Sequence, residues 1–264
     1  MIASVLALAA CGTASVDSAT TDAKKKVPVT TPTPKPTPTP TPTPTSNSSL
    51  SGVLSEGDSI SYFWSGNHTG IYAAAHPSVT FAGHAVGGSV LGDPTNTGNS
   101  LYARQASDLT VKAKVLTVLI GANDLNGVGS NWYEYTTPQA YADALFAYLA
   151  PFRAAGAKVA VGTVLPQCTT GNPEAGNDLI VNTNRAALNT IIRNAVGTKI
   201  DAVIDFAKDP VMGPDAAACD VTLYDNGLHP TAGAAFGGAA NNGVGGQGRL
   251  EPIYAPVVDG LLAS

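Results

Sequence analysis

The chain has 264 residues and a net charge of −5, and only 12% of its residues are charged. So sparse and acidic a charge set forms no basic stripe to hold a nucleic-acid backbone, which excludes nucleic acid and anionic membrane surfaces as partners. Hydrophobic residues make up 44% of the chain and gather in short blocks after residue 50, leaving enough sequence for one well-cored domain.

Residues 2–10 are small and apolar and run into Leu8-Ala9-Ala10-Cys11, which resembles a bacterial lipobox. The resemblance implies that residues 1–11 are a signal segment whose Cys11 is lipidated. The protein would then be exported and held at the bacterial cell envelope, on its periplasmic or extracellular face, touching the membrane only through the anchor at Cys11. The apolar run is far shorter than the roughly 20 residues that span a bilayer. The plainer reading of Cys11 is a buried thiol on an ordinary apolar helix.

Residues 12–49 hold three consecutive lysines and then Thr-Pro repeated from 31 to 45, with almost nothing apolar to bury. Such a segment cannot offset its ordering entropy and is expected to be a disordered linker. Proline at every second position favours polyproline II, so residues 27–45 could reach on the order of 60 Å at about 3.1 Å per residue. A regular dipeptide repeat encodes stiffness and reach more simply than it encodes PxxP docking sites.

From residue 50 to 264, apolar runs alternate with helical patterns. Strands are expected at 52–55, 79–81, 115–120, 159–164 and 202–206. The run VLTVLI at 115–120 is continuous and rich in β-branched residues, as a strand buried on both faces should be. Helices are expected at 101–112, 138–155 with Pro138 in the first turn and Gly156 beyond the end, 178–196 with Gly197 beyond, and 250–263. This alternation predicts a three-layer α/β/α sandwich on a mostly parallel five-stranded sheet. Ligands of such sheets sit beyond the carboxyl ends of the strands.

The unusual polar residues fall at those ends. Ser59 follows the first strand, Gly87-Gly88-Ser89 the second, Gly121-Ala122-Asn123-Asp124 the third, and His229 comes after the fifth. An acyl-transfer hydrolase needs a nucleophile, a base within hydrogen-bond reach and donors aimed at the oxyanion. Taken alone, Ser59 reads equally as a helix N-cap after a strand.

With these blocks in place the domain resembles the SGNH (GDSL-like) hydrolases over nearly all of residues 50–264, and with them their flavodoxin-like fold. Gly57-Asp58-Ser59-Ile60 is similar to the block that carries the nucleophile and one oxyanion N–H. Ala85-Val86-Gly87-Gly88-Ser89 is similar to the second block, with the Gly88 N–H as donor and Gly87 as the fallback. Gly121-Ala122-Asn123-Asp124 matches the third, where the Asn123 amide completes the oxyanion hole, and Gly227-Leu228-His229-Pro230 matches the last and its catalytic histidine. The resemblance implies a serine esterase acting through an acyl-enzyme on a small-molecule or carbohydrate ester, such as an O-acetyl or short acyl group on carbohydrate or lipid. It implies no metal and no organic cofactor, and the chain is expected to be a monomer. Two other readings stand beside it: a surface-tethered binding or adhesion module on a decayed esterase fold, and an acyltransferase in which a sugar hydroxyl replaces water.

One position departs from the family pattern. Three residues before the histidine, where the family has Asp, stands Asn226, and the adjacent acid is Asp225. An Asn can orient an imidazole but cannot stabilise imidazolium by charge. The expectation is that Asp225 supports His229, or that Ser59 and His229 act as a dyad braced by a backbone carbonyl, so that Asp225→Ala costs more turnover than Asn226→Ala.

The remaining polar and aromatic residues carry less. Cys168 and Cys219 are expected either to form a disulfide, which export would preserve, or to be separate buried thiols. No Cys and His spacing resembles a zinc site. His68, His76 and His84 read as loop or surface residues, with His84 near the mouth of the site. Trp64, Trp132, Tyr133 and Tyr135 either line that mouth or cover the core.

Overall fold

The computed structural model of the chain describes residues 50–63, 66–95, 98–126, 135, 137–168, 178–231 and 246–264. Cys11, the segment 12–49, Trp64, Trp132 and Tyr133 lie outside the described residues.

Five strands, β1 (Val53–Gly57), β2 (Phe81–Gly83), β3 (Val115–Leu119), β4 (Lys158–Gly162) and β5 (Ala202–Ile204), form one sheet in the order β2-β1-β3-β4-β5. Every pairing is parallel. Side-chain alternation divides the sheet into two buried faces. Leu54, Leu116, Val118, Val159 and Val161 face one apolar cluster, while Val53, Val115, Leu119, Ala160 and Ile204 face the other.

Helices cover both faces, giving the expected α/β/α sandwich. The first cluster is closed by α2 (Leu101–Thr110), α4 (Pro138–Ala154) and α5 (Asp178–Asn194), through Leu101, Tyr141, Leu145, Tyr148 and Leu188. The second is closed by α1 (His68–Ala75) and α6 (Gln247–Ala263), through Tyr72, Leu250, Tyr254 and Val258. The starts of α2 and α4 are written locally, because Ser100 and Thr137 accept from the N–H groups of Ala103 and Ala140. Among the described residues no helix is long and apolar enough to cross a membrane.

The differences from the expected elements bear on the site. β1 runs on through Glu56, which local pattern would exclude from a buried strand, because the carboxylate is ion-paired with Arg104 beneath the sheet edge. A short helix, α3 (Ala122–Asn126), begins at once after β3 and carries the third motif. His68 is no surface residue: it opens α1, lies 1% exposed with Nδ1 2.7 Å from Gln247 Oε1, and meets the rings of Phe206 and Tyr254 edge-on. Burial lowers its pKa to about 4. His76 stacks on Tyr72, and His84 is half-buried against Asp108. Tyr135 packs edge-on against Tyr141 and donates to the Gly92 carbonyl, so it covers the core.

Candidate active site

Ser59 sits where β1 leaves the sheet. The turn is closed by the Ser61 N–H donating to the Asp58 carbonyl and by Asp58 Oδ1 accepting from the Ile60 N–H. Gly57 makes this exit possible: its φ is +151°, and a Cβ there would lie 2.2 Å from the Leu119 carbonyl oxygen on β3. Asp58 is wholly buried with Oδ2 unpartnered, and burial pushes its carboxyl up to about 7.

His229 comes to this turn from 170 residues away, with Nε2 2.7 Å from Ser59 Oγ. Its own turn is held on both sides. The Asp225 N–H donates to the His229 carbonyl, and the Cys168 N–H donates to the Gly227 carbonyl. Gly227 has φ +78°, and a Cβ there would lie 2.1 Å from the Cys168 carbonyl oxygen. Cys168 is in turn joined to Cys219 by a disulfide.

The residue against the far side of the ring is Asn226. Its Oδ1 accepts from the N–H groups of Leu228 and His229, at 3.2 and 3.0 Å, and lies 3.1 Å from His229 Nδ1; Nδ2 is 3.0 Å from the same ring atom. Two backbone donors identify the oxygen, since an amide nitrogen cannot accept them. Asp225 is exposed. Of the two neighbours, the Asn226 side chain is the one set against the ring. The turn aims position 226 at the imidazole and position 225 at solvent.

The expected oxyanion donors lie on the segments that follow β1, β2 and β3. The backbone N–H groups of Ser59, Gly87 and Gly88 meet no acceptor among the described residues. Gly87 runs close to the nucleophile, and a Cβ on it would lie 3.9 Å from Ser59 Cβ. Asn123, 6% exposed on α3, donates one amide hydrogen to the Ser89 carbonyl at 2.8 Å, and among the described residues the second meets no acceptor. Its neighbour Asp124 accepts from the Leu91 N–H, and burial pushes that carboxyl up to about 7.

Below this loop lies a charged network with no counterpart in the motifs. Arg104 grips both oxygens of Glu56, while His84 Nδ1 lies 2.8 Å from Asp108 Oδ1. Burial pushes the Glu56 carboxyl up to about 7 against the pull of the Arg104 hydrogen bonds, and Asp108 adds to the rise. Glu56, His84 and Asp108 bring ligand-type atoms within 4.8 Å of one another. The guanidinium already occupies the cation position beside Glu56, so the cluster is an ion-pair network. The signal for it in the sequence is slight: one acid inside an apolar strand and one arginine on a helix.

A model of the family described as GDSL-like lipase/acylhydrolase matches residues 57–234. No curated protein matches the chain. Among solved structures, a GDSL-like lipase from Bacteroides thetaiotaomicron is 17% identical with a TM-score of 0.55, the match covering 80% of this chain and 88% of that one. A member of the lipolytic G-D-S-L family from Veillonella parvula is 15% identical with a TM-score of 0.51, covering 80% and 98%. A catalytic mutant of an acetylxylan esterase from Geobacillus stearothermophilus is 12% identical with a TM-score of 0.50, covering 80% and 94%. At these identities the structures speak for the fold alone.

Proposed function

Because this chain belongs to the GDSL-like lipase/acylhydrolase family and is thus a hydrolase acting on esters, we propose that it is a serine esterase. Ser59 is the nucleophile, His229 the general base, and the N–H groups of Ser59 and Gly88 with the Asn123 amide form the oxyanion hole. The 2.7 Å approach of Ser59 Oγ to His229 Nε2 carries this reading. His229 Nε2 takes the Ser59 proton as Oγ attacks the ester carbonyl, and the donors stabilise the oxyanion. The alkoxide leaving group takes that proton from His229. A water molecule, deprotonated by the same nitrogen, then attacks the acyl carbon; the bond from Ser59 Oγ to the acyl group breaks, Oγ takes the proton back from His229, and the acid leaves.

Asn226 supplies orientation without charge. Its Oδ1, already identified by two backbone donors, accepts the Nδ1–H of His229, which leaves Nε2 free to accept from Ser59. Only this tautomer can act as the base.

The substrate class we propose is a short acyl ester on a carbohydrate. Tyr62, Phe63 and Val86, 49%, 40% and 38% exposed, stand beside the nucleophile turn as an open apolar rim suited to the face of a sugar ring. Lipidation at Cys11 and display at the cell envelope remain part of the proposal, and the Cys168–Cys219 disulfide is the bond an exporting route would preserve.

The test is hydrolysis of p-nitrophenyl acetate, butyrate and octanoate by the protein and by Ser59→Ala. We expect the acetate ester to be preferred and the substitution to lower kcat by about 10⁴-fold or more. Equal rates from the two proteins would refute the serine mechanism.

A further inference from the structure

Arg104 stands on α2, outside all four motifs, yet its hydrogen bonds reach Ser89 in the second motif and Glu56, the residue that adjoins the first. Nε and Nη2 donate to Glu56 Oε1 and Oε2 at 3.0 and 2.8 Å, and Nη1 donates to Ser89 Oγ at 3.1 Å and to Asn99 Oδ1 at 3.4 Å. Each partner is one bond away from a group of the site. Glu56 Oε2 also accepts from the Gly57 N–H, at the start of the nucleophile turn. The Ser89 hydroxyl donates to Asn99 Oδ1, and Asn99 Nδ2 donates to the Gly87 carbonyl at 2.8 Å. The Ser89 carbonyl accepts the Asn123 amide. Ser89 is thus a junction, with its side chain gripped by Arg104 and its backbone holding an oxyanion donor.

We propose that Arg104, anchored by Glu56, is a positioning residue for the oxyanion hole. It sets the Gly87–Ser89 loop against the Gly57–Ser59 turn, so that the Gly88 N–H and the Asn123 amide meet in front of Ser59 Oγ. This inference rests on the esterase reading above.

An arginine suits the task because its planar fork can hold a carboxylate with one edge while the remaining N–H groups reach a loop; a lysine ammonium is a single point of charge. A plain structural ion pair would need only the Glu56 edge. The anchor is firm, since the Glu56 side chain is fully shielded from solvent and the Arg104 side chain is 20% exposed.

The experiment is steady-state hydrolysis of p-nitrophenyl acetate by the full chain and by Arg104→Ala, Arg104→Lys and Asn99→Ala. Arg104→Ala should lose about 10- to 100-fold in kcat, the cost of donors misplaced by a fraction of an ångström to an ångström. KM should stay within about threefold, because the loss falls on the transition state. Millimolar guanidinium should restore part of that kcat in Arg104→Ala and leave the unaltered protein unchanged. Arg104→Lys should stay closer to Arg104→Ala than to the unaltered protein. Asn99 is exposed, so Asn99→Ala keeps the fold and decides the matter if Arg104→Ala does not fold. It should lose about three- to tenfold in kcat at an unchanged melting temperature. Normal kcat in Asn99→Ala, or in a folded Arg104→Ala, overturns the inference while leaving the esterase reading intact. Absence of Ser59-dependent turnover in the unaltered protein overturns both.

Discussion

The two flanks of Ser59 are built from different materials. On the oxyanion flank, the loop carrying Gly88 and Ser89 rests on a buried Glu56–Arg104 ion pair, and α3 presents Asn123. On the base flank, the His229 turn is held by neutral groups: the Asn226 amide, backbone hydrogen bonds to Asp225 and Cys168, and the disulfide behind Cys168. The contrast separates two demands of acyl transfer. The proposed oxyanion donors are neutral N–H groups that exchange no proton during the cycle, so a fixed charge beneath them serves only to hold them still. The proposed base, His229, gains and loses a proton, and the side chain of position 226 set against its ring is an amide, which orients the ring without adding charge.

If the oxyanion flank carries the larger share of catalysis, Asn123→Ala should have the largest effect, lowering kcat by about 100- to 1000-fold with little change in KM. A near-normal rate would remove Asn123 from the site. Removing the disulfide with Cys168→Ser and Cys219→Ser should act on the base flank, costing about 2–5 kcal/mol and lowering the melting temperature by about 5–15 °C. Unchanged thermal unfolding would show that the turn needs no such brace.

Asn226→Asp should sharpen the contrast by placing a carboxylate where the Asn226 amide meets the ring. We expect kcat/KM to rise by about tenfold, since the imidazolium formed in the transition state gains a neighbouring carboxylate. The same carboxylate favours the protonated ring, so the acid limb of the pH–rate profile should move to higher pH. A limb that stays in place would mean that position 226 does not act on the ring. The smallest effect should come from Asp225→Ala, which should change kcat by less than about twofold because that side chain faces solvent; Asn226→Ala should cost clearly more.

Much of this was legible from residue order alone. Short apolar runs of β-branched residues, separated by amphipathic stretches with Pro138 at one start and Gly156 beyond the end, encode the parallel sheet and its covering helices, since hydrophobic period and helix-end chemistry are local properties. The order of Ser59, Gly88, Asn123 and His229 likewise brings the four motifs to one sheet edge. Three things needed the folded chain. Glu56 and Arg104 meet across 48 positions and inside a buried strand that local pattern ends too early. His68 is buried by α6 and by Phe206, which are remote in the sequence. The choice between Asp225 and Asn226 depends on the turn that packs Gly227 onto Cys168. Adjacent side chains point in different directions, and only the tertiary contact decides which of them reaches the ring.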